Sequence, residues 1–460
     1  MPDPAADWRS DPAPAWERPL IGEHPIPGYR YTARDFFERE FAHVWAKTWL
    51  LLGRESELPQ PGDWQMEEVG PESILMVRQS DLSIKAFYNV CQHRGNRLVL
   101  EEQGRVRRFV CKYHGWAYLP DGKLDFAQDA EDFPQGNPCD SVRLKEIQCA
   151  TFAGFIWVNM DPEAGSLQSY LGPIWDDWSM YPLGDMQRYL AYTVHVPCNW
   201  KVIQDNFNES YHLRSVHPGT NFTIEEGYRE TQFDMCAEAH SRMIMHAGYP
   251  ARSLEGEQLN KPLTDLMLEW DLQPEDFRGR EREIRPALQQ QKRKLGPARG
   301  YTHYEDLRDE QLTDYYHYTI FPNFAVSITA DGFHFLRSRP HPTDPEQCIF
   351  DNWFYAAEPA GDSSPVMTPA GMKPRGEPVP HEILQYGEKS IGMGMDQDLS
   401  ITTGQQLGFR SRGYEGVYLS GQEARVRRYH EVIDEYLQGV RPHGRLNTRP
   451  STVKAIQDPS

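Results

Sequence analysis

Residues 91–97 read Cys-Gln-His-Arg-Gly-Asn-Arg, and residues 111–116 read Cys-Lys-Tyr-His-Gly-Trp. The pattern is C-x-H, seventeen intervening residues, then C-x-x-H. Two thiolates and two imidazoles suit either tetrahedral zinc or a mixed-ligand [2Fe–2S] centre. Each pair is expected where a strand enters a tight turn, after Val90 in one case and after Phe109-Val110 in the other. Gly95 and Gly115 are expected to let the backbone fold closely around an inorganic core.

Outward from these motifs, about Leu50 to Met160 has the texture of short strands and turns. Leu82, Ile84, Ala86, Tyr88 and Val90 alternate with mostly polar neighbours, and Gly154-Phe155-Ile156-Trp157-Val158 reads as a buried strand. Pro61-Gly62, Asp121-Gly122 and Asp161-Pro162 mark turns. The first thirty residues are Pro-rich and expected to be an irregular arm. Thr32, Asp35, Phe37, Phe41 and Val44 predict an amphipathic helix over 33–48. Helical periodicity returns after about residue 165, with a helix predicted over 199–213 and another carrying Leu263, Leu266, Met267 and Trp270. Strands are expected at 324–328 and 348–355, and a Pro- and Gly-rich surface loop over 359–381. Two helices close the chain, the last with Val426, Tyr429, Ile433 and Tyr436 on one face.

Composition bounds the function. The 460 residues carry 48 Lys and Arg against 67 Asp and Glu, a formal charge of −19. Such a field argues against nucleic acid or an anionic membrane as partner. No apolar run approaches the roughly 18 residues of a membrane span. The N-terminus lacks the basic start and apolar stretch of a signal peptide. Seven cysteines, an odd number, read as reduced thiols, so a cytoplasmic location is expected.

A second constellation lies at 199–217, where Asp205, Glu209 and His212 are spaced i, i+4, i+7 and would share one helix face. His217 would stand roughly 140° away on an ideal helix, at about 100° per residue. Both histidines can face one metal only if the helix loosens or ends between them, and Pro218-Gly219 supplies such an ending. Two histidines and a distant carboxylate make the facial triad of non-heme Fe(II) oxygenases.

Together the motifs resemble the large (alpha) subunits of the Rieske non-heme iron oxygenases, the aromatic ring-hydroxylating dioxygenases. Their ligand loops read C-x-H-R-G and C-x-x-H-G-W, and their catalytic segment reads N-W-K…N-x-x-E-x-x-H-x-x-x-x-H. The resemblance implies an α+β fold: a β-rich Rieske domain at 46–165, and a catalytic domain at 166–460 with an antiparallel sheet wrapped by helices. Residues 1–45 would be an arm and helix packed on the catalytic domain, and 251–315 a charged helical elaboration. It also implies the ligands. Cys91 and Cys111 hold the inner iron of a [2Fe–2S] cluster, and His93 and His114 the outer one. His212, His217 and Asp398 hold a mononuclear Fe(II), with Asp396 the alternative to Asp398; Gln405-Gln406-Leu407-Gly408 matches the family's continuation. Glu209 would link His212 to the partner subunit's His114 in a head-to-tail trimer.

The implied activity uses O2 and electrons from NAD(P)H, delivered by a separate reductase with or without a ferredoxin, to hydroxylate or dihydroxylate an aromatic or other hydrophobic compound. Oxidative O- or N-demethylation, or monooxygenation of a quaternary amine, is the alternative within the family. A small beta subunit is a further possible partner. A different class would be an electron-transfer or zinc-stabilised protein without oxygenase activity. Phe207, Phe222, Phe324, Phe333 and Met393 are candidates to line the substrate pocket. Arg94, Arg97, Arg105, Arg107, Arg108 and Lys112 form a basic patch on which an acidic electron donor could dock. Cys139, Cys149, Cys198, Cys236 and Cys348 are expected to be packing residues, and His43, His195, His303, His317, His334 and His430 ordinary ones.

Overall fold

The structure is a computed structural model that describes residues 20–21, 25–220, 223–227, 230–236, 239–254, 258–361, 364–377, 379–439 and 454–455. Nearly all of the Pro-rich arm, and Phe222, lie outside the described residues. The chain divides into two compact units, one built chiefly from residues 39–170 and the other from 25–38 and 171–438.

In the first unit, seven strands pair antiparallel in the order 50–54, 155–159, 146–152, 84–88, 72–78, 63–69 and 103–105. A three-stranded sheet of 109–110, 117–118 and 124–126 carries the second cysteine loop. The predicted strand through Leu82 starts later, at Ile84, because Leu82 takes φ 68° in the preceding turn and is exposed. Trp64, Leu75, Val77, Phe87, Trp116 and Tyr118 form the core, with Cys91 and Cys111 inside it.

In the second unit, eight strands run in the order 232–235, 241–245, 315–320, 324–328, 332–340, 348–356, 187–196 and 382–385. Neighbours are antiparallel except the last pair. One face packs against helix Trp200–Phe207: Gln204 Nε2 donates to Ser338 Oγ at 3.0 Å, and Phe207 stacks on Phe350 at 5.8 Å. This is the metal side. The 33–48 helix forms as Arg34–Glu40 followed by a π turn at Phe41–Trp45. The 359–381 loop contains a small hairpin, Val366–Thr368 with Gly371–Lys373. Helices Met393–Phe409 and Ala424–Leu437 close the chain, and all four residues of the predicted apolar face, Val426, Tyr429, Ile433 and Tyr436, are buried. No helix among the described residues is long and apolar enough to cross a membrane.

The opposite face of this sheet holds a buried charge row. Arg337, Asp351 and Thr193 are direct cross-strand partners. Arg337 Nε donates to Asp351 Oδ2 at 2.7 Å, and Thr193 Oγ1 and Arg339 donate to Oδ1. Burial alone would raise the Asp351 carboxyl, but the two guanidinium groups outweigh it and hold it down to about 2. Its stabilising effect is therefore complete above the unfolded value near 3.9 and is lost as pH falls from there through about 2. Asp351→Ala leaves two guanidinium groups buried without their carboxylate. It is expected to cost about 3–5 kcal/mol in denaturant unfolding at pH 7. A loss under about 1 kcal/mol would show that the row is not structural.

Candidate metal centres

The two ligand loops of the first unit are near copies. Cys91 N donates to Asn96 O and Gly95 N to Cys91 O; Cys111 N donates to Trp116 O and Gly115 N to Cys111 O, at 2.8 to 3.0 Å. Gly95 and Gly115 have φ of 75° and 73°. A Cβ at either would meet no protein atom within 4 Å, so within the protein the demand for glycine is one of backbone angle and not of space. Asn89 fixes where the first loop leaves: its Oδ1 accepts from Leu98 N and Val99 N, and its Nδ2 donates to Val99 O.

Both cysteines are 2% exposed, and the His93 and His114 rings lie 4.6 Å apart, with His93 stacked on Trp116. Burial pushes the Cys91 thiol up, so a thiolate there needs a cationic partner. A residue that the spacing could not reveal, Tyr118, sits with its hydroxyl 3.4 Å from Cys91 Sγ while accepting from Gln92 N at 3.0 Å. Two buried sulfurs beside two paired imidazoles fit a mixed-ligand cluster.

The basic patch beside these loops is largely neutralised. Arg97 pairs with Glu68, Arg105 with Asp63, Arg108 with Asp125 and Lys112 with Glu101, while Arg94 lies over the Tyr113 ring. Four of the six cations thus spend their field on adjacent carboxylates, which the one-dimensional charge count could not see.

In the second unit the predicted 199–213 helix ends early. Asn199 caps its start, accepting from Lys201 N, and the helix stops at Phe207 with Asn208 as C-cap. Asn208 is held by a tertiary contact, its Oδ1 accepting from Thr319 Oγ1 at 2.5 Å. A separate turn of helix, Leu213–Val216, follows, with His212 before it and His217 after it. Asp205, Glu209 and His212 therefore do not share a helix face. Asp205 turns away to accept from Tyr31 Oη at 2.6 Å and to meet His430 Nε2 at 3.1 Å.

This break brings the two imidazoles together. His217 Nε2 lies 2.8 Å and His212 Nε2 3.5 Å from Asp398 Oδ1. Among the described residues these three form the one group of candidate ligands converging within 4.8 Å. Asp398 is 3% exposed. Asp396 is directed elsewhere: its carboxylate accepts from Ile391 N and from Ser390 Oγ in the first turn of helix Met393–Phe409. The outer nitrogens are also held. Glu209 Oε1 meets His212 Nδ1 at 2.5 Å while Oε2 accepts from His212 N, and Gln397 Oε1 meets His217 Nδ1 at 2.8 Å. Both rings thus present Nε2 inward, a donor set of two imidazoles and one carboxylate that fits a mononuclear Fe(II). Gln397 has no spacing signature; only its contact reveals it. Gln406 links the two metal helices, its Oε1 accepting from Asn199 N at 2.9 Å.

Of the expected pocket residues, Phe207 is on the metal side. Phe324 and Phe333 belong to the opposite face, against Trp178 and Tyr355 respectively, and Met393 is 77% exposed. Alternation along the strands explains the difference, since adjacent residues point to opposite faces.

Residues 183–439 match the family model of the ring-hydroxylating alpha subunit (catalytic domain), and residues 48–136 that of the Rieske [2Fe–2S] domain. The chain is 35% identical over 203 residues to the carnitine monooxygenase oxygenase subunit of Escherichia coli (strain K12), a stretch covering 44% of this chain and 54% of that relative. It is also 35% identical over 203 residues to the biphenyl dioxygenase subunit alpha of Metapseudomonas furukawaii, covering 40% and 43%. The chain therefore spans about half the length of the curated relatives it matches. Among solved structures, a quaternary ammonium Rieske monooxygenase in complex with an inhibitor shares the fold, with a TM-score of 0.64 at 19% identity over 93% of this chain and 97% of that one. With more than half of its length in the catalytic match, the chain belongs to the ring-hydroxylating alpha-subunit family of Rieske non-heme iron oxygenases.

Proposed function

We propose that this protein is the terminal oxygenase of an electron-transfer system and oxidises a small quaternary or tertiary amine at a carbon bound to nitrogen. The observation that carries the choice of substrate is the metal-side wall of the sheet. His317, Ser327, His334 and Asn352 stand there among the rings of Phe207, Phe350 and Phe354, polar groups that a flat hydrocarbon does not engage, while the aromatic candidates Phe324 and Phe333 point away. The likeness to a carnitine monooxygenase subunit supports the same reading. Hydroxylation of an aromatic compound is the second reading, favoured by the equal likeness to a biphenyl dioxygenase subunit.

Cys91, Cys111, His93 and His114 would hold the [2Fe–2S] cluster, and His212, His217 and Asp398 the mononuclear iron. When bound, these groups supply one-electron storage and O2 activation. The protein's own residues hold the ligands in place. Glu209 fixes the His212 ring through Nδ1, and Gln397 does so for His217. Glu209 is also the residue through which the partner subunit's cluster would couple to this iron, in a trimer. Insertion of one oxygen atom into a C–H bond beside nitrogen gives a carbon whose C–N bond then breaks, leaving a carbonyl compound and a free amine. The second oxygen atom leaves as water, with two electrons and one proton from NAD(P)H and a second proton from solvent, the electrons being delivered by a separate reductase, with or without a ferredoxin.

Turnover with NAD(P)H, a reductase and a panel of trimethylammonium compounds and arenes tests this directly. About one amine is expected per NAD(P)H consumed when turnover is coupled. Arene diols without any amine release would replace this reading by the second.

A further inference from the structure

One row across the metal side of the eight-stranded sheet reads His317, Ser327, His334, Phe354, each a direct cross-strand partner of the next. These strands lie in the middle of the sheet. The adjacent row on the same face, Thr319, Ala325, Leu336 and Asn352, is fully buried. Ser327, His334 and Phe354 are only half-buried. Partial exposure at the centre of a covered sheet marks a recess in the packing. The recess is tied to the helix that carries Asp398: His334 Nε2 meets Asn352, whose Nδ2 donates at 3.1 Å to Ile391 O, just before helix Met393–Phe409.

Hydrogen bonds assign the protons in this recess. Asn352 Nδ2 donates to Ile391 O at 3.1 Å, which leaves its Oδ1 as the acceptor 2.6 Å from His334 Nε2. His334 therefore carries its proton on Nε2. Burial pushes its pKa down to about 4, so at neutral pH its Nδ1 is a bare lone pair. Among the described residues that nitrogen has no partner, and it is not sealed from solvent. His317 Nδ1 lies 2.8 Å from Ser327 Oγ. Its Nε2 is buried without a hydrogen-bond partner among the described residues. Whichever side donates in the His317–Ser327 contact, the Ser327 oxygen has two lone pairs and keeps at least one for the recess.

We propose that Ser327 and His334 form an acceptor wall that orients the substrate by receiving a hydroxyl or protonated N–H group, holding the carbon to be oxidised toward His212, His217 and Asp398. This rests on the oxygenase reading and deepens it. The wall selects a substrate with a hydrogen-bond donor beside its reactive carbon, and it repels a carboxylate at the same place. An analogue lacking the donor leaves buried acceptors without partners, which is where discrimination of this kind is largest.

The test is calorimetric binding to the iron-loaded holoenzyme without turnover, using L-carnitine and γ-butyrobetaine, which differ by one hydroxyl. Wild-type protein is expected to prefer L-carnitine by about tenfold or more. Ser327→Ala and His334→Leu each weaken L-carnitine by about tenfold and leave γ-butyrobetaine within about twofold, with iron content and cluster spectrum unchanged. His334→Gln, which can still donate to Asn352 and offer an acceptor, restores most of the preference. Equal loss of both probes, or loss of neither, overturns the proposal. If neither trimethylammonium compound binds wild-type protein, the amine reading fails by itself. The wall is then tested with 2-phenylethanol against ethylbenzene. A hydroxyl-dependent loss in the same variants supports it, and no such loss overturns it.

Discussion

Asp398→Ala is expected to lose the mononuclear iron while keeping the cluster. Turnover should fall by at least about a thousandfold, because removing one of three protein ligands removes the Lewis-acid site itself. The geometry makes the effect specific. Asp398 Oδ1 is the atom on which both Nε2 nitrogens converge, and its carboxylate is the buried negative charge that offsets a dication. The helix should survive the change, since its first turn is held by Asp396 and its far half by Gln406. Iron analysis and the visible spectrum check this together. The iron content should drop by about one per chain with the cluster absorption intact. Asp396→Ala is the control and should retain the iron. Full turnover in Asp398→Ala, or iron loss in Asp396→Ala alone, would move the ligand assignment.

What the sequence disclosed depended on how local each feature is. The cysteine–histidine loops are complete within 26 residues, and their glycines carry the backbone angles the turns require. The histidine pair is local too, but its geometry is not. The helix was expected to loosen or end between His212 and His217; it ends already at Phe207, with Asn208 held by a contact to Thr319, over a hundred residues away in the chain. Asp398 lies 181 residues beyond His217, so spacing alone could not choose it over Asp396, and only the resemblance did. The pocket was misread for a different reason. In a strand, a shift of one residue exchanges the faces. Phe324 and Phe333 therefore went to the far side, while Ser327 and His334, one of them set aside as ordinary, took the metal side. Aromatic content showed that rings were present without showing where they point.

The complementary experiment is Cys91→Ala. It should lose the red-brown absorption and all acid-labile sulfide, with iron falling from about three to about one per chain. Electron delivery from a reductase should then stop. The loss is complete because Cys91 sits in a buried apolar pocket with Cys111, Trp116 and Tyr118. The remaining iron should persist. His212, His217 and Asp398 are positioned by the 200–207 and 393–409 helices and by the eight-stranded sheet, which belong to the second unit, whereas the core around Cys91 belongs to the first. The same measurement separates the metal alternatives left open by the donor set. Stoichiometric zinc without sulfide in the wild-type protein would make the first centre a structural knuckle and remove the electron store from the mechanism. Because Asp398→Ala and Cys91→Ala each empty one centre and spare the other, a variant that lost both would instead mean that the two sites fold or load as one.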